Sequence, residues 1–209
     1  MPGRRKLLRE KIHLVDRSRS TQAHARYRGK PARVLKGELI RPATLDEPGP
    51  LLIYNHGFMS NYADGEYLMR FLASHGYTVI GVNYPLTHSR APGRPYAPDL
   101  VNQPADISFI IDELLQRNED PGDHLFRTID GGKIALAGVS LGGLTSLLTT
   151  YHRGLKDTRI AATICIAGPT DFLSGGFFTG TQTPTLMVYG DKDSLVEYER
   201  HAIPGMEKC

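Results

Sequence analysis

Residues 136–143 read LAGVSLGG, and this stretch decides the fold. A short apolar run ends at the pentapeptide GVSLG (138–142), and a second glycine follows it. The apolar run predicts a buried strand and the residues after Ser140 predict a helix, so Ser140 lies on a strand-to-helix turn. A serine at such a turn is either a structural turn residue or a nucleophile held in a strained backbone.

The rest of the chain repeats the same strand-and-helix alternation. Two short strands are predicted at 11–16 and 33–42. From residue 51 onward, apolar strands are predicted at 51–57, 77–85, 133–139, 159–168 and 185–190, and amphipathic helices at 65–75, 105–118, 141–152 and 194–203. This alternation predicts a mostly parallel sheet with helices on both faces. Such a sheet binds its ligand at the C-terminal ends of the strands.

The size and charge of the chain limit the classes of function. Its 209 residues suit a single domain over 1–209, in which a basic segment, 1–50, carries the first strands. We expect that segment to be solvated and partly mobile at its start, with an anionic partner as the less favoured alternative. A net charge of +3 is too small to predict a nucleic-acid partner.

The sequence contains no obvious targeting or metal-binding segment. No apolar run follows the basic start as in a signal peptide, and none could span a bilayer. We therefore expect a cytoplasmic protein, or a secreted one if a leader has been removed. Cys165 lies in an apolar run and is expected to be a buried thiol, and Cys209 ends the sequence. No disulfide framework or metal-ligand spacing is apparent.

The nucleophile interpretation of Ser140 is favoured because its surroundings supply the other parts of a hydrolytic site. The two glycines leave room for a tight elbow, and the N–H of Leu141 at the helix start can stabilise an oxyanion. A second donor is expected in the loop His56-Gly57-Phe58-Met59, where Phe58 offers its N–H. His56 is either the base or a residue that braces this loop, and the brace is favoured.

An acid and a base must complete the machinery of a serine nucleophile. Asp191 and Asp193 follow the predicted strand at 185–190, and one of them can orient a histidine while the other is solvated or caps the next helix. After Asp193, the histidine at His201 comes eight residues later within a predicted helix, about 10–12 Å further along its axis. It is poorly placed to return to Ser140.

Three motifs, NHGF (55–58), GVSLGG (138–143) and YGDKDSLV (189–196), together resemble the α/β-hydrolase fold. Within that fold the chain resembles dienelactone-hydrolase-like, platelet-activating-factor-acetylhydrolase-like and cutinase-like (polyester hydrolase) esterases. The resemblance implies that Ser140 is the nucleophile, that Phe58 and Leu141 are the oxyanion donors, and that Asp193 is the acid in preference to Asp191. It also implies a base after one further helix and strand, so we expect the chain to lack its last helix, last strand and catalytic histidine.

The predicted function is cleavage of carboxylic esters through an acyl-enzyme on Ser140, without metal or organic cofactor, impaired where the histidine is missing. Phe58, Met59, Tyr84 and the proline-rich loop 85–104 are expected to line the pocket. Their apolar and aromatic character favours a hydrophobic acyl or aryl ester, a small or lipid-like molecule. The alternative is a catalytically silent binding protein of the same fold. A missing last strand would leave 185–190 as an apolar sheet edge, from which we expect self-association.

Overall fold

The structure is a computed structural model that describes residue 3 and residues 5–174, 176–179 and 182–207. The C-terminal Cys209 lies outside these residues. The strands are β1 (Leu7–Asp16), β2 (Arg33–Pro42), β3 (Gly49–Asn55), β4 (Thr78–Asn83), β5 (Ile129–Val139), β6 (Ile160–Ile166) and β7 (Thr185–Val188). The helices are α1 (Glu66–Ser74), α2 (Gln103–Glu119), α3 (Leu141–Tyr151) and α4 (Tyr198–Glu207).

The seven strands form one sheet in the order β1-β2-β4-β3-β5-β6-β7. β1 pairs with β2, and β2 with β4, in antiparallel register. All pairs from β4 to β7 are parallel. The mostly parallel sheet predicted from the sequence is therefore confirmed, and the C-terminal ends of β3, β5, β6 and β7 meet at one edge.

Alternate residues of β3 show that helices cover both faces of the sheet. Leu51 and Ile53 belong to the apolar cluster that also contains Ile107, Ile110, Ile111 and Leu114 of α2. Leu52 and Tyr54 belong to a second cluster with Met69 and Ala73 of α1. Because successive side chains of a strand point to opposite faces, α1 and α2 lie on opposite sides. The strand is buried on both faces, as a continuous apolar run predicts.

The basic N-terminal segment is more ordered than its composition predicts. Arg33 has no exposed surface, and its guanidinium binds Asp99 and Asp106 with N–O distances of 2.6–3.0 Å. Arg19 binds Asp106 as well, at 2.7 Å. The expectation of a solvated segment is wrong for these residues, because their acidic partners lie more than 60 positions away in the chain. This ion cluster anchors the segment to the region around residue 100.

Two local predictions also need correction. The stretch 85–104 is not wholly a loop, because Ala97–Asn102 forms a 3-10 helix that leads directly into α2. The helix predicted from residue 194 starts four residues later, at Tyr198. The Asp193 carboxylate accepts hydrogen bonds from the N–H groups of Leu195 and Val196, and this Asx turn occupies the segment where a helix would otherwise begin.

Candidate active site

Ser140 occupies the sharp turn between β5 and α3. Its backbone has φ 53° and ψ −120°, a strained combination for a residue other than glycine. The Ser140 N–H donates to the Ile166 carbonyl of β6 at 2.8 Å, which holds the turn at the sheet edge. Its Oγ is half-buried and forms no hydrogen bond within the part of the chain that the structure describes. The hydroxyl is therefore available to a base and a substrate.

The flanking glycines of the elbow are required by close backbone contacts. A Cβ at position 138 would lie 2.1 Å from the Gly142 carbonyl oxygen. A Cβ at position 142 would lie 2.0 Å from the Asn55 carbonyl oxygen. Both distances are far inside van der Waals contact with backbone that cannot move aside. The G-x-S-x-G spacing therefore reflects packing of the turn against α3 and against the end of β3.

The loop after β3 lies directly against the elbow. A Cβ at position 57 would lie 3.5 Å from the Cβ of Ser140. Among the described residues, no acceptor binds the N–H of Phe58 or of Leu141, whereas the neighbouring Met59 N–H donates to the Thr87 carbonyl at 2.9 Å. Two unpaired N–H groups on adjacent strand ends are the arrangement that stabilises an oxyanion. Met59, at φ 59°, adds a second strained residue here.

His56 braces this loop and is not placed as a base. The ring is fully buried, and its Nδ1–H donates to the Gly57 carbonyl at 2.7 Å. Its Nε2 accepts the N–H of Tyr84 at 3.1 Å. With both ring nitrogens engaged the imidazole is neutral, and burial lowers its pKa to about 4. This is the role that the sequence reasoning favoured.

Tyr84 requires a correction, because it was expected to line the pocket. Its side chain has no exposed surface, and its hydroxyl donates to Asn55 Oδ1 at 2.6 Å. The Asn55 amide in turn donates to Ser146 Oγ on α3 at 2.8 Å. Tyr84 therefore supports the site from behind. The sequence around an aromatic residue at a strand end does not indicate whether its ring turns toward the pocket or toward the core.

The apolar surface that faces solvent at this edge includes residues that sequence reasoning missed. Phe58 and Met59, both predicted, are 38% and 60% exposed. Phe172 after β6 and Leu195 after β7 are also exposed, at 62% and 89%. Both missed residues lie on loops that follow strand ends of the parallel sheet. That position in the sequence could have identified them as candidates for the site. Exposed large apolar side chains on several loops favour an apolar ligand.

The acid of the predicted triad is placed on the loop after β7. Asp193 Oδ1 accepts the N–H groups of Val196 and Leu195 at 3.0 and 2.9 Å. These backbone hydrogen bonds hold the pKa of Asp193 below its usual value, so the carboxylate is ionised. Asp191 is exposed and has no hydrogen-bond partner among the described side chains. The structure does not pair either carboxylate with a histidine ring by a hydrogen bond within the described residues.

His201 is hydrogen-bonded elsewhere, through the ring nitrogen that a triad base would turn toward its carboxylate. Its Nδ1 accepts the N–H groups of Thr170 and Asp171 at 3.1 and 3.3 Å. A nitrogen that accepts two N–H groups carries no proton, so the proton of the neutral ring lies on Nε2. A triad base needs the opposite tautomer, with Nδ1–H given to a carboxylate and Nε2 open to the serine. The expectation that His201 is poorly placed agrees with this geometry.

We also searched the described residues for a metal site, a membrane-spanning helix and a second cavity. Within them, no group of three or more His, Cys, Asp or Glu side chains is arranged to hold a metal ion. The helices of the same residues are too short or too polar for any of them to cross a membrane. A cavity of about 750 Å³ between β1 and α1 is lined by Arg5, Arg9, Tyr67 and their neighbours, and not by Ser140.

The mostly parallel sheet, the helices on both of its faces and the strand-to-helix elbow at Ser140 define a protein of the α/β-hydrolase fold. A family profile described as "PETase: PET hydrolase-like" matches residues 40–209, and the chain belongs to this family. A comparison with curated proteins gives no significant match.

Many solved structures share the fold. One of them is a ferulic acid esterase from Streptomyces cinnamoneus, with a TM-score of 0.67 and 23% sequence identity. The alignment covers 90% of this chain and 66% of that esterase, so the chain matches slightly less than two thirds of its length. At this identity the likeness shows the fold.

Proposed function

We propose that the protein hydrolyses carboxylic esters through an acyl-enzyme on Ser140. The observation that carries the proposal is the strained Ser140 beside the unpaired N–H groups of Phe58 and Leu141. Ser140 Oγ attacks the ester carbonyl carbon while a base takes its proton, and the carbonyl electron pair moves onto the oxygen held by the two N–H groups. The intermediate collapses, the C–O bond to the alcohol breaks, and the base returns the proton to the leaving alcohol.

Water then completes the cycle by the same steps, as the nucleophile, and Ser140 becomes the leaving group. It attacks the acyl carbon, the base takes its proton, and the serine leaves with that proton as the carboxylic acid is released. Asp193 is the acid that orients the base, because its carboxylate is ionised and follows a strand end at the same sheet edge. The base itself is proposed to be a histidine outside the 209 residues. His201 presents the wrong tautomer, and both ring nitrogens of His56 are already hydrogen-bonded.

The substrate class is proposed to be hydrophobic esters, aromatic ones first. Support comes from the exposed apolar side chains of Phe58, Met59, Phe172 and Leu195 around the strand ends. The family name refers to hydrolysis of PET, and the structural neighbour is named for ferulic acid. The acid units of PET and ferulic acid are both aromatic. A charged acyl group would find few partners on such a surface.

Chemical rescue of the missing base provides the test. The 209-residue chain is treated with a fluorophosphonate probe, with and without imidazole, beside Ser140→Ala and His201→Ala. We expect slow labelling of Ser140 that imidazole accelerates by about tenfold or more, the scale of general-base catalysis, and no labelling of Ser140→Ala. His201→Ala should respond to imidazole as the parent does.

The second candidate is a catalytically silent binding protein, favoured by one observation: within the described residues no histidine hydrogen-bonds to Ser140. It predicts no labelling above the Ser140→Ala background at any imidazole concentration. That result would overturn ester hydrolysis as the function. Rapid labelling of Ser140 without imidazole that His201→Ala abolishes would instead show that His201 is the base and that its position differs from the one described.

A further inference from the structure

Three buried polar side chains lie outside the residues assigned so far. Gln103 at the start of α2, Thr87 in the preceding segment and Thr145 on α3 have no exposed surface. The Gln103 Nε2–H donates to Thr87 Oγ1 at 2.8 Å, and the Thr145 hydroxyl donates to Gln103 Oε1. Both ends of one amide are therefore engaged in the interior, where an unpaired amide would be destabilising.

One end of this chain of hydrogen bonds reaches the oxyanion loop. The Thr87 carbonyl accepts the N–H of Met59 at 2.9 Å, and the Ser89 N–H donates to the Ser60 carbonyl at 2.8 Å. The segment around Thr87 is thus joined to the loop by two backbone hydrogen bonds. Met59 directly follows Phe58, whose N–H is the first proposed donor. Displacing Thr87 would displace that donor.

The other end reaches the first turn of α3. Thr145 Oγ1 lies 3.0 Å from the carbonyl oxygen of Leu141, one helical turn earlier. Leu141 carries the second proposed donor on its N–H. Gln103 therefore links Thr87, which binds the residue after Phe58, to Thr145, which lies one helical turn after Leu141. Both donors come from different elements, so their separation is not fixed by chain connectivity.

We infer that Gln103 is a positioning residue that sets the separation of the Phe58 and Leu141 N–H groups. It is buried and touches no substrate, so it acts only through Thr87 and Thr145. Its amide satisfies both hydroxyls at once, with a donor toward one and an acceptor toward the other. The inference rests on the proposed function for its catalytic meaning, but the coupling of the two segments can be measured without turnover.

The test compares variants that lose buried hydrogen bonds in different places. Gln103→Met keeps the side-chain length and removes both bonds, while Thr145→Val removes only the bond on α3. Thr163→Val is the matched control, because it also removes one buried hydroxyl, which pairs with Thr150 at 2.6 Å on the other side of α3. Amide hydrogen exchange is followed at the N–H groups of Met59 and Ser60, which donate to the Thr87 and Gly57 carbonyls, and of Leu144, which donates to the Ser140 carbonyl. Ester turnover is followed with imidazole present.

We expect Gln103→Met and Thr145→Val to speed exchange at both segments and to lower kcat by about tenfold to a hundredfold with KM little changed, as for a displaced oxyanion donor. Thr163→Val should lose stability without either effect. Unchanged exchange in both site variants would overturn the inference, and if Gln103→Met fails to fold, Thr145→Val decides. Faster exchange in a protein that shows no Ser140-dependent turnover would support the positioning and refute the proposed function.

Discussion

Lowering the pH from 7.5 to 4.5 should destabilise this protein through one buried ring, His56. Desolvation is the main cause that lowers its pKa from 6.5 to about 4, and smaller effects come from His88, which lowers it, and from Asp64 and the Gly57 hydrogen bond, which raise it. The unfolded chain binds a proton below pH 6.5, while the folded chain stays neutral until about pH 4. Stability is therefore complete above pH 6.5 and is lost as the pH falls.

The magnitude follows from the two pKa values. Integrating proton uptake between pH 7.5 and 4.5 gives a loss of about 2.5 kcal/mol in the free energy of unfolding from this ring alone. That is a large part of the stability of a small domain. Protonation would also place a proton on Nε2, which now accepts the Tyr84 N–H, so the same event breaks the hydrogen bond between the His56 ring and Tyr84.

Urea unfolding at several pH values, for the parent chain and for His56→Gln, measures this contribution. The variant keeps a polar group but cannot titrate, so its loss of stability over the same interval should be smaller by about 2.5 kcal/mol. His88, whose pKa is also lowered by burial, cancels in the difference. If His56→Gln does not fold, nitrogen NMR of the parent at pH 5.5 serves instead. Equal pH dependence of the two proteins, or a protonated His56 at pH 5.5, would refute the reasoning.

Three further perturbations have defined outcomes. Gly142→Ala should cost about 3 kcal/mol in urea unfolding, because its Cβ meets the Asn55 carbonyl at 2.0 Å, while Gly154→Ala, with nothing nearer than 3.7 Å, should be close to neutral. Arg33→Met should cost about 3–5 kcal/mol in the same assay, because the buried Asp99 loses its cation and Asp106 keeps only Arg19, and adding an Asp99→Asn change should recover part of this loss. The 209-residue chain should self-associate in light scattering, and Leu186→Lys with Val188→Lys should reduce it, because β7 is the last strand of the described sheet and both side chains are exposed.

The elements that sequence predicted well are those whose signal is local. The strand before Ser140 and the helix after it are fixed by a continuous apolar run, two glycines and an apolar helical stretch within about fifteen residues. The helix predicted at 65–75 is α1 (Glu66–Ser74), and Gly76 follows it with φ at +107°.

The features that sequence did not predict depend on partners far along the chain. In the sequence, Arg33 does not differ from the other basic residues of its segment. In the structure it is buried and pairs with Asp99 and Asp106, more than 60 positions away. Tyr84 was expected to line the pocket because its strand ends there, but its hydroxyl is drawn inward by Asn55. No local pattern predicts either of these two outcomes. The late start of α4 is the exception, because its cause is local: the Asp193 carboxylate accepts the N–H groups of Leu195 and Val196, two and three residues later.

Two separate sets of buried hydrogen bonds hold the oxyanion loop against α3, and this has a consequence for catalysis. One runs from Thr87 through Gln103 to Thr145, and the other passes from Asn55 to Ser146, whose hydroxyl donates to the Gly142 carbonyl at 2.8 Å. Neither set includes a catalytic base. In the proposed mechanism the two N–H groups are held by hydrogen bonds that do not involve the base, as preorganised donors must be. A serine hydrolase that keeps its oxyanion hole retains about 10³–10⁴-fold catalysis when a triad member is removed. On that proposal an external imidazole supplies the proton transfer, while the protein fixes the geometry around the developing negative charge.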